Sequence, residues 1–332
     1  MSSEWTNGKV LVTGAGGFIG SHLTERLLAL GADVRVLVRH VSSGRLGLLE
    51  ELSEEDRDRL EVVRGDLRDV ESVRQACAGV DTVFHLGAEV SVPFSFEVPR
   101  SFLDTNLGGT LNVLEACRNH ETRRLVLTSS SEVFGTAQRL PMDEEHPLHP
   151  QSPYAASKVA ADALTLSYRA AHDLPLVTLR PFNAFGPRQS LRAVIPTVLV
   201  QALRGDRLQL GRTDPVRDWT YVSDVVEAFL AAARAEDDVL GEVFVTGTGR
   251  GHSIAEIVQA AGRLVDRELV VETADERLRP GRSEVERLVA DPRRAKERLG
   301  WEAQVSFEDG LRRTIEHLRE RGDELDPSRH YR

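Results

Sequence analysis

Thr13-Gly14-Ala15-Gly16-Gly17-Phe18-Ile19-Gly20 follows a short apolar run, Lys9–Thr13, and leads into a helical stretch from Ser21 to Leu30. Glycines at 14, 17 and 20 permit a tight turn, close backbone approach to a pyrophosphate and close packing of helix on strand. A helix start at this point adds free N–H donors and the positive end of a dipole. The spacing is G-x-x-G-x-x-G rather than G-x-G-x-x-G, so its force comes from its place between a strand and a helix. The stretch predicts a dinucleotide site built on Gly14, Gly17, Phe18, Ile19 and Gly20.

Apolar runs recur at Asp33–Val38, Leu60–Val63, Asp81–Leu86, Arg124–Thr128 and Leu174–Leu179, with longer stretches between them. One of these, Arg100–Asn119, carries Phe102, Leu103, Leu107, Leu111 and Leu114 at helical spacing. Such alternation predicts an α/β fold, a Rossmann-type doubly wound parallel sheet. Beyond Arg180 the texture changes, with Pro181, Pro187 and Pro196 and frequent arginines. Residues 1–180 are expected to form the NAD(P)-binding unit. Residues 181–322 should form mainly a smaller substrate-binding domain, with a strand and helix near 218–246 returning to the first unit. Ser253 with Glu256, and Asp291 before Pro292, mark late helix starts. Residues 323–332 read as a polar tail.

The 332 residues carry a formal charge of −10, with 41% hydrophobic and 28% charged residues, a globular balance. The acidic excess argues against nucleic-acid or anionic-membrane partners. Apolar runs fall far short of the ~20 residues of a membrane span: Ala228–Ala233 is stopped by Glu227 and Arg234. Met1–Asn7 lacks the features of a secretory signal. Cys77 and Cys117 are too few for a disulfide framework, and a reducing cytoplasm is expected. His85, His146, His149 and His172 lack metal-ligand spacing and read as structural or surface, so no metal is expected.

An acidic residue at the end of the second strand would bind the adenosine ribose, whereas an arginine suits a 2′-phosphate. The run ends Leu37-Val38-Arg39, with Ser42, Ser43 and Arg45 following, which leans toward NADP⁺ over NAD⁺. Tyr154-Ala155-Ala156-Ser157-Lys158 puts a phenol and an ammonium one helical turn apart. The chain has only four tyrosines and three lysines, so the pairing is unlikely to be accidental. A neighbouring lysine is expected to bring the phenol toward neutrality and make it a usable base. Upstream, the strand Arg124–Thr128 ends in Ser129-Ser130-Ser131-Glu132. A hydroxyl there would hold the reacting oxygen beside Tyr154, and Glu132 would suit removal of a carbon-bound proton next to a carbonyl.

Gly14/Gly17/Gly20, the Ser130 strand end, Tyr154/Lys158 and Arg180-Pro181-Phe182-Asn183 together resemble the extended short-chain dehydrogenase/reductases that act on nucleotide sugars. The likeness runs over about residues 8–320. It implies that Asp66 and Leu67 lie beside the adenine, Leu86 and Ala88 along the cofactor, and Asn106 against the active site. It makes Ser130, Tyr154 and Lys158 the catalytic set. Ser131-Glu132 is similar to the Ser-Glu pair of GDP-mannose-type and nonulosonic-acid-pathway 4,6-dehydratases. Val90–Ser95, with Ser91, also looks like the latter group, as do Arg188-Gln189-Ser190 and Ser283–Arg287. Other dehydratases have an aspartic general acid where this chain has Ser131, so the proton donor to O6 stays open.

The resemblance implies an NAD(P)-dependent nucleotide-diphosphate-sugar 4,6-dehydratase with a tightly bound, recycled cofactor. A C4 epimerase or a 5,6-dehydratase are the alternatives. Arginine gives bidentate donors to phosphate. By the same likeness Asn183, Arg217 and Arg279 meet the diphosphate, Leu210 lies near the base, and Ser91 and Ser131 line the sugar. Arg188 is a further candidate. A homodimer is expected, packed through Arg100–Asn119 and Tyr154–Ala171, whose Leu107, Leu111, Leu164 and Leu166 exceed what one sheet face needs.

Overall fold

The computed structural model describes Trp5, residues 8–274 and residues 284–322. Its strands in chain order are β1 (Lys9–Thr13), β2 (Asp33–Val38), β3 (Glu61–Arg64), β4 (Thr82–His85), β5 (Arg124–Thr128), β6 (Leu176–Pro181), β7 (Asn183–Phe185), β8 (Arg207–Leu210), β9 (Val216–Tyr221), β10 (Val243–Thr246), β11 (Gly251–Ser253), β12 (Val270–Thr273) and β13 (Arg287–Leu288). Seven of them form a parallel sheet in the order β10-β6-β5-β4-β1-β2-β3. Helices on both faces bury these strands, which is why they read as near-continuous apolar runs. The chain reverses direction across the sheet between β1 and β4, and such a switch point is where an open α/β sheet leaves a crevice.

β6 begins two residues later than its apolar run, because Asp173 at φ 51° closes the preceding helix and Leu174-Pro175 form the connection. The stretch 100–119 is not one regular helix. A short helix, Pro99–Phe102, passes into a π-helical segment, Leu103–Gly108, and then into the α-helix Gly109–Asn119.

The residues after β6 divide between two bodies. β7, β9, β11 and β13 make a small second sheet, and β8 pairs with β12. Phe185, Leu199, Trp219, Ile257 and Leu311 lie in the core beneath them. The helix Val222–Arg234 and β10 instead join the large sheet, where Phe229 meets Phe84 edge to face at 6.5 Å. The helix Ile254–Val265 starts on the capping box of Ser253 and Glu256.

Candidate active site

The turn after β1 is set by its glycines. Gly14 sits at φ 71°, and a Cβ there would meet the Gly87 backbone at 2.7 Å. A Cβ on Gly20 would lie 2.2 Å from the Gly14 carbonyl oxygen. These contacts draw the ends of β1 and β4 together at the switch point and press the helix Phe18–Ala29 against the turn. No side chain caps that helix. Backbone donors at the head of a 12-residue helix, over a turn with no room for a side chain at Gly14, Gly16 or Gly20, fit a dinucleotide pyrophosphate. Asp66 lies beyond β3, paired with Arg68, whose guanidinium holds its carboxyl below the usual range. Arg39 follows β2 and is exposed.

Tyr154 and Lys158 stand on the helix Pro153–His172, started by the Ser152 hydroxyl accepting from Ala155 N and by Pro153 in its first turn. Both are 7% exposed. Ser130 follows β5; its hydroxyl accepts from Glu132 N at 3.2 Å and lies close enough to the Tyr154 phenol to oppose its upward shift. Ser131–Phe134 form a single 3₁₀ turn that ends on Gly135 at φ 62°. That turn presents Glu132, whose charge is felt at Tyr154.

The expectation that Lys158 brings Tyr154 toward neutrality is not met. Burial, with smaller contributions from Glu132 and Asp162, pushes the phenol up to about 12. Lys158 donates instead to the Thr128 carbonyl at 2.9 Å. Burial brings its own pKa down to about 8, against the opposing pull of Asp162.

Behind this set runs a continuous hydrogen-bonded chain. Gly87 N donates to Thr13 Oγ1, which lies 2.8 Å from His85 Nδ1. His85 Nε2 is 3.1 Å from Thr110 Oγ1, and Thr110 donates to the Asn106 carbonyl. Burial, together with the charge of Lys158, lowers His85 to about 3, so the ring is neutral. Asn106, in the π segment, exchanges bonds with the Glu89 backbone and donates to Ser157 Oγ at 2.9 Å. Ser157 in turn donates to the Tyr154 carbonyl.

Sequence reasoning missed a buried cluster under the site. Asp162 Oδ2 accepts from Ser129 Oγ at 2.7 Å and from Arg180 Nη2 at 2.8 Å. Arg180 also lies 5.0 Å from the centre of the Phe134 ring. The available signal was Asp162 standing four residues after Lys158, on the same helical face as Tyr154.

The second domain brings some of the expected residues toward the strand ends. Asn183 opens β7, directly after β6, with its Oδ1 buried and without a partner. Arg217 on β9 is buried and pairs with Glu284 at 3.2 Å. Ser91 caps the helix Val92–Glu97, accepting from Phe94 N. Leu210 is a core side chain, 2% exposed, whose carbonyl accepts from Ala274 N. Arg188, at φ 64°, pairs with Glu25 and Glu51 of the first unit and acts as a strut between the two bodies. Arg279 and the 323–332 tail lie outside the described residues.

A family model described as GDP-mannose 4,6 dehydratase matches residues 11–314. A UDP-glucose 4-epimerase of Mycolicibacterium smegmatis is 36% identical over 94% of this chain and 98% of its own length. A dTDP-glucose 4,6-dehydratase of Streptomyces niveus is 33% identical, over 94% of this chain and 93% of its own. The crystal structure of the dTDP-glucose 4,6-dehydratase of Streptomyces venezuelae, with NAD and TYD bound, superposes with a TM-score of 0.85 at 31% identity, covering 96% of this chain and 99% of that one. Dehydratases and epimerases thus stand at similar distances, so resemblance alone gives the family without the reaction. The chain belongs to the GDP-mannose 4,6-dehydratase family, among the nucleotide-sugar dehydratases and epimerases of the extended short-chain dehydrogenase/reductases.

Proposed function

We propose that the protein is an NAD(P)⁺-dependent nucleotide-diphosphate-sugar 4,6-dehydratase. The observation that carries this reading is Glu132, held on the 3₁₀ turn directly after Ser130 and close enough for its charge to act on the Tyr154 phenol. An epimerase needs only to take a hydride from C4 and return it to the other face, and gives no work to such a carboxylate.

Tyr154 takes the proton of the sugar's 4-hydroxyl while Ser130 holds that oxygen. When bound, the oxidised nicotinamide supplies a hydride acceptor and a positive charge that, with Lys158, favours the phenolate. The C4 ketone acidifies the C5 proton, Glu132 removes it, and water leaves from C6. Glu132 then carries the proton needed by the departing O6, a role that Ser131 does not fill. With the hydride given back at C6, Glu132 takes a proton from solvent and delivers it to C5 while Tyr154 releases the 4-hydroxyl proton, so the protons balance and no external reductant is consumed.

Asn183 and Arg217 are assigned to the diphosphate, supported by the unpartnered Asn183 Oδ1 and by the place of Arg217 on β9. Exposed Arg39, with no carboxylate at the end of β2, supports NADP⁺ as the preferred form. A homodimer is assigned to the face of the helices Gly109–Asn119 and Pro153–His172 where Leu111 and Leu166 are exposed; Leu107 is half-buried and Leu164 packs against the core, so these two add less to that face than expected. Sedimentation showing only monomer at micromolar concentration would remove the dimer. The test of function is incubation with a panel of nucleotide sugars. Loss of 18 mass units is expected; a new isomer of unchanged mass identifies an epimerase instead.

A further inference from the structure

The helix that carries Tyr154 and Lys158 carries a third side chain on the same face, Asp162, 8% exposed and without direct access to a substrate. Its carboxylate joins three elements. Through Ser129 Oγ it holds the end of β5, and Ser129 N also donates to the Leu179 carbonyl of β6. Through Arg180 it holds β6, which leads to Asn183. Arg180 packs on Phe134, which closes the turn bearing Ser131 and Glu132. A single carboxylate thus fixes the backbone on both sides of Ser130 relative to the helix opposite it.

We propose that Asp162 is a positioning residue for the proton transfer at Tyr154: bridged to Ser129 and Arg180, it sets Ser130 opposite the phenol and keeps Lys158 cationic in a buried site. The charge arithmetic supports this. Lys158 and Arg180 are two buried cations, and Asp162 is the carboxylate that acts on Lys158. The other titratable groups in the neighbourhood are Tyr154, Glu132 and neutral His85. Removing the Asp162 charge takes away the one carboxylate that opposes the effect of burial on Lys158, and Lys158 sheds its proton more readily.

The inference rests on the proposed chemistry for its purpose, but it can be tested separately. The chain has only three lysines, Lys9, Lys158 and Lys296. Lysine labelled with ¹³C at Cε therefore gives a spectrum simple enough to titrate residue by residue in the full-length protein. In Asp162→Asn, Lys158 is expected to titrate roughly one pH unit lower, the usual size for loss of a nearby opposite charge, and Asp162→Glu should recover most of that shift. Hydride transfer from the sugar, read by near-ultraviolet absorbance, should fall about 10–100-fold in Asp162→Asn with KM little changed, in the range of losing a proton-transfer aid. An unmoved Lys158 titration in folded Asp162→Asn overturns the proposal. Ser129→Ala covers the case in which Asp162→Asn does not fold. It keeps every charge, so the Lys158 titration should stay while hydride transfer slows about tenfold, the order of one lost hydrogen bond. Wild-type transfer in Ser129→Ala overturns the positioning role. If no nucleotide sugar reduces the cofactor in wild type, the proposed function fails, and the Lys158 titration still decides the inference.

Discussion

Two charge clusters, one in each half of the molecule, are held in opposite ways. Under the strand ends of the large sheet, the Asp162–Arg180 pair has side chains 10% and 6% exposed and is joined to a hydroxyl and an aromatic ring. In the second domain, Arg212 pairs with Asp214 and Glu286 at side-chain exposures of 40–64%. Exposed pairs contribute about 0–1 kcal/mol and are readily exchanged for another anion, whereas breaking a buried pair costs about 3–5 kcal/mol. The first arrangement is fixed before a ligand arrives; the second is adjustable. The proposed reaction chemistry would sit on the first. Arg217, on the second domain's sheet, belongs with the buried kind: it and Glu284 have side chains 8% and 12% exposed.

Replacing Tyr154 by Phe should have the largest effect, since it removes the phenol beside Ser130 and Lys158. Turnover is expected to fall ~10²–10⁴-fold with the fold and sugar binding retained. Near-normal turnover would take Tyr154 out of the reaction. Arg217→Ala tests the second domain: KM for the nucleotide sugar should rise roughly 10–100-fold, the worth of a charged hydrogen bond, with kcat changed much less. A fall in kcat at constant KM would take Arg217 out of substrate binding.

His85 gives a pH test of how rigid the fixed region is. Its pKa is about 3 in the folded chain, against 6.5 for an unburied ring. The unfolded chain therefore binds one more proton between these values, and stability rises with pH across that window. As pH falls below 6.5 the folded state loses up to ~1.4 kcal/mol per unit from this residue alone. His85→Gln, which can still bond both threonines, should flatten the urea midpoint between pH 7 and 5. An equally steep loss would show that the burden lies elsewhere. The smallest effect is expected at exposed Arg39. Arg39→Asp should turn cofactor preference toward NAD⁺ by about tenfold, one surface charge contact; no change in the NADP⁺/NAD⁺ ratio would leave Arg39 without that role.

What could be read from the sequence was whatever acts over short spacing. The glycine turn, the Tyr154–Lys158 pair, the Ser130 strand end and the capping box at Ser253 each lie within a few residues, where local geometry is set by residue type. What could not be read needed distant partners. Asp162 meets Arg180 only because β5 and β6 are neighbours, and Arg188 finds Glu25 across 163 positions. The π segment at Leu103–Gly108 was invisible because periodicity over 100–119 averages out one inserted residue. The phenol's upward shift was missed for a related reason: spacing showed Lys158 near Tyr154, but not that Lys158 turns to the Thr128 carbonyl while burial acts on both.

Removal of the C5 proton by Glu132 would set a dehydratase apart from an epimerase on a shared Tyr154–Lys158 frame. Glu132→Gln keeps the volume but cannot accept a proton at neutral pH. In deuterated water with the turned-over nucleotide sugar, the variant should still oxidise C4, seen as near-ultraviolet absorbance, while deuterium no longer enters C5 and water is no longer lost. Deuterium entering C5 at the wild-type rate in Glu132→Gln would exclude Glu132 as the base.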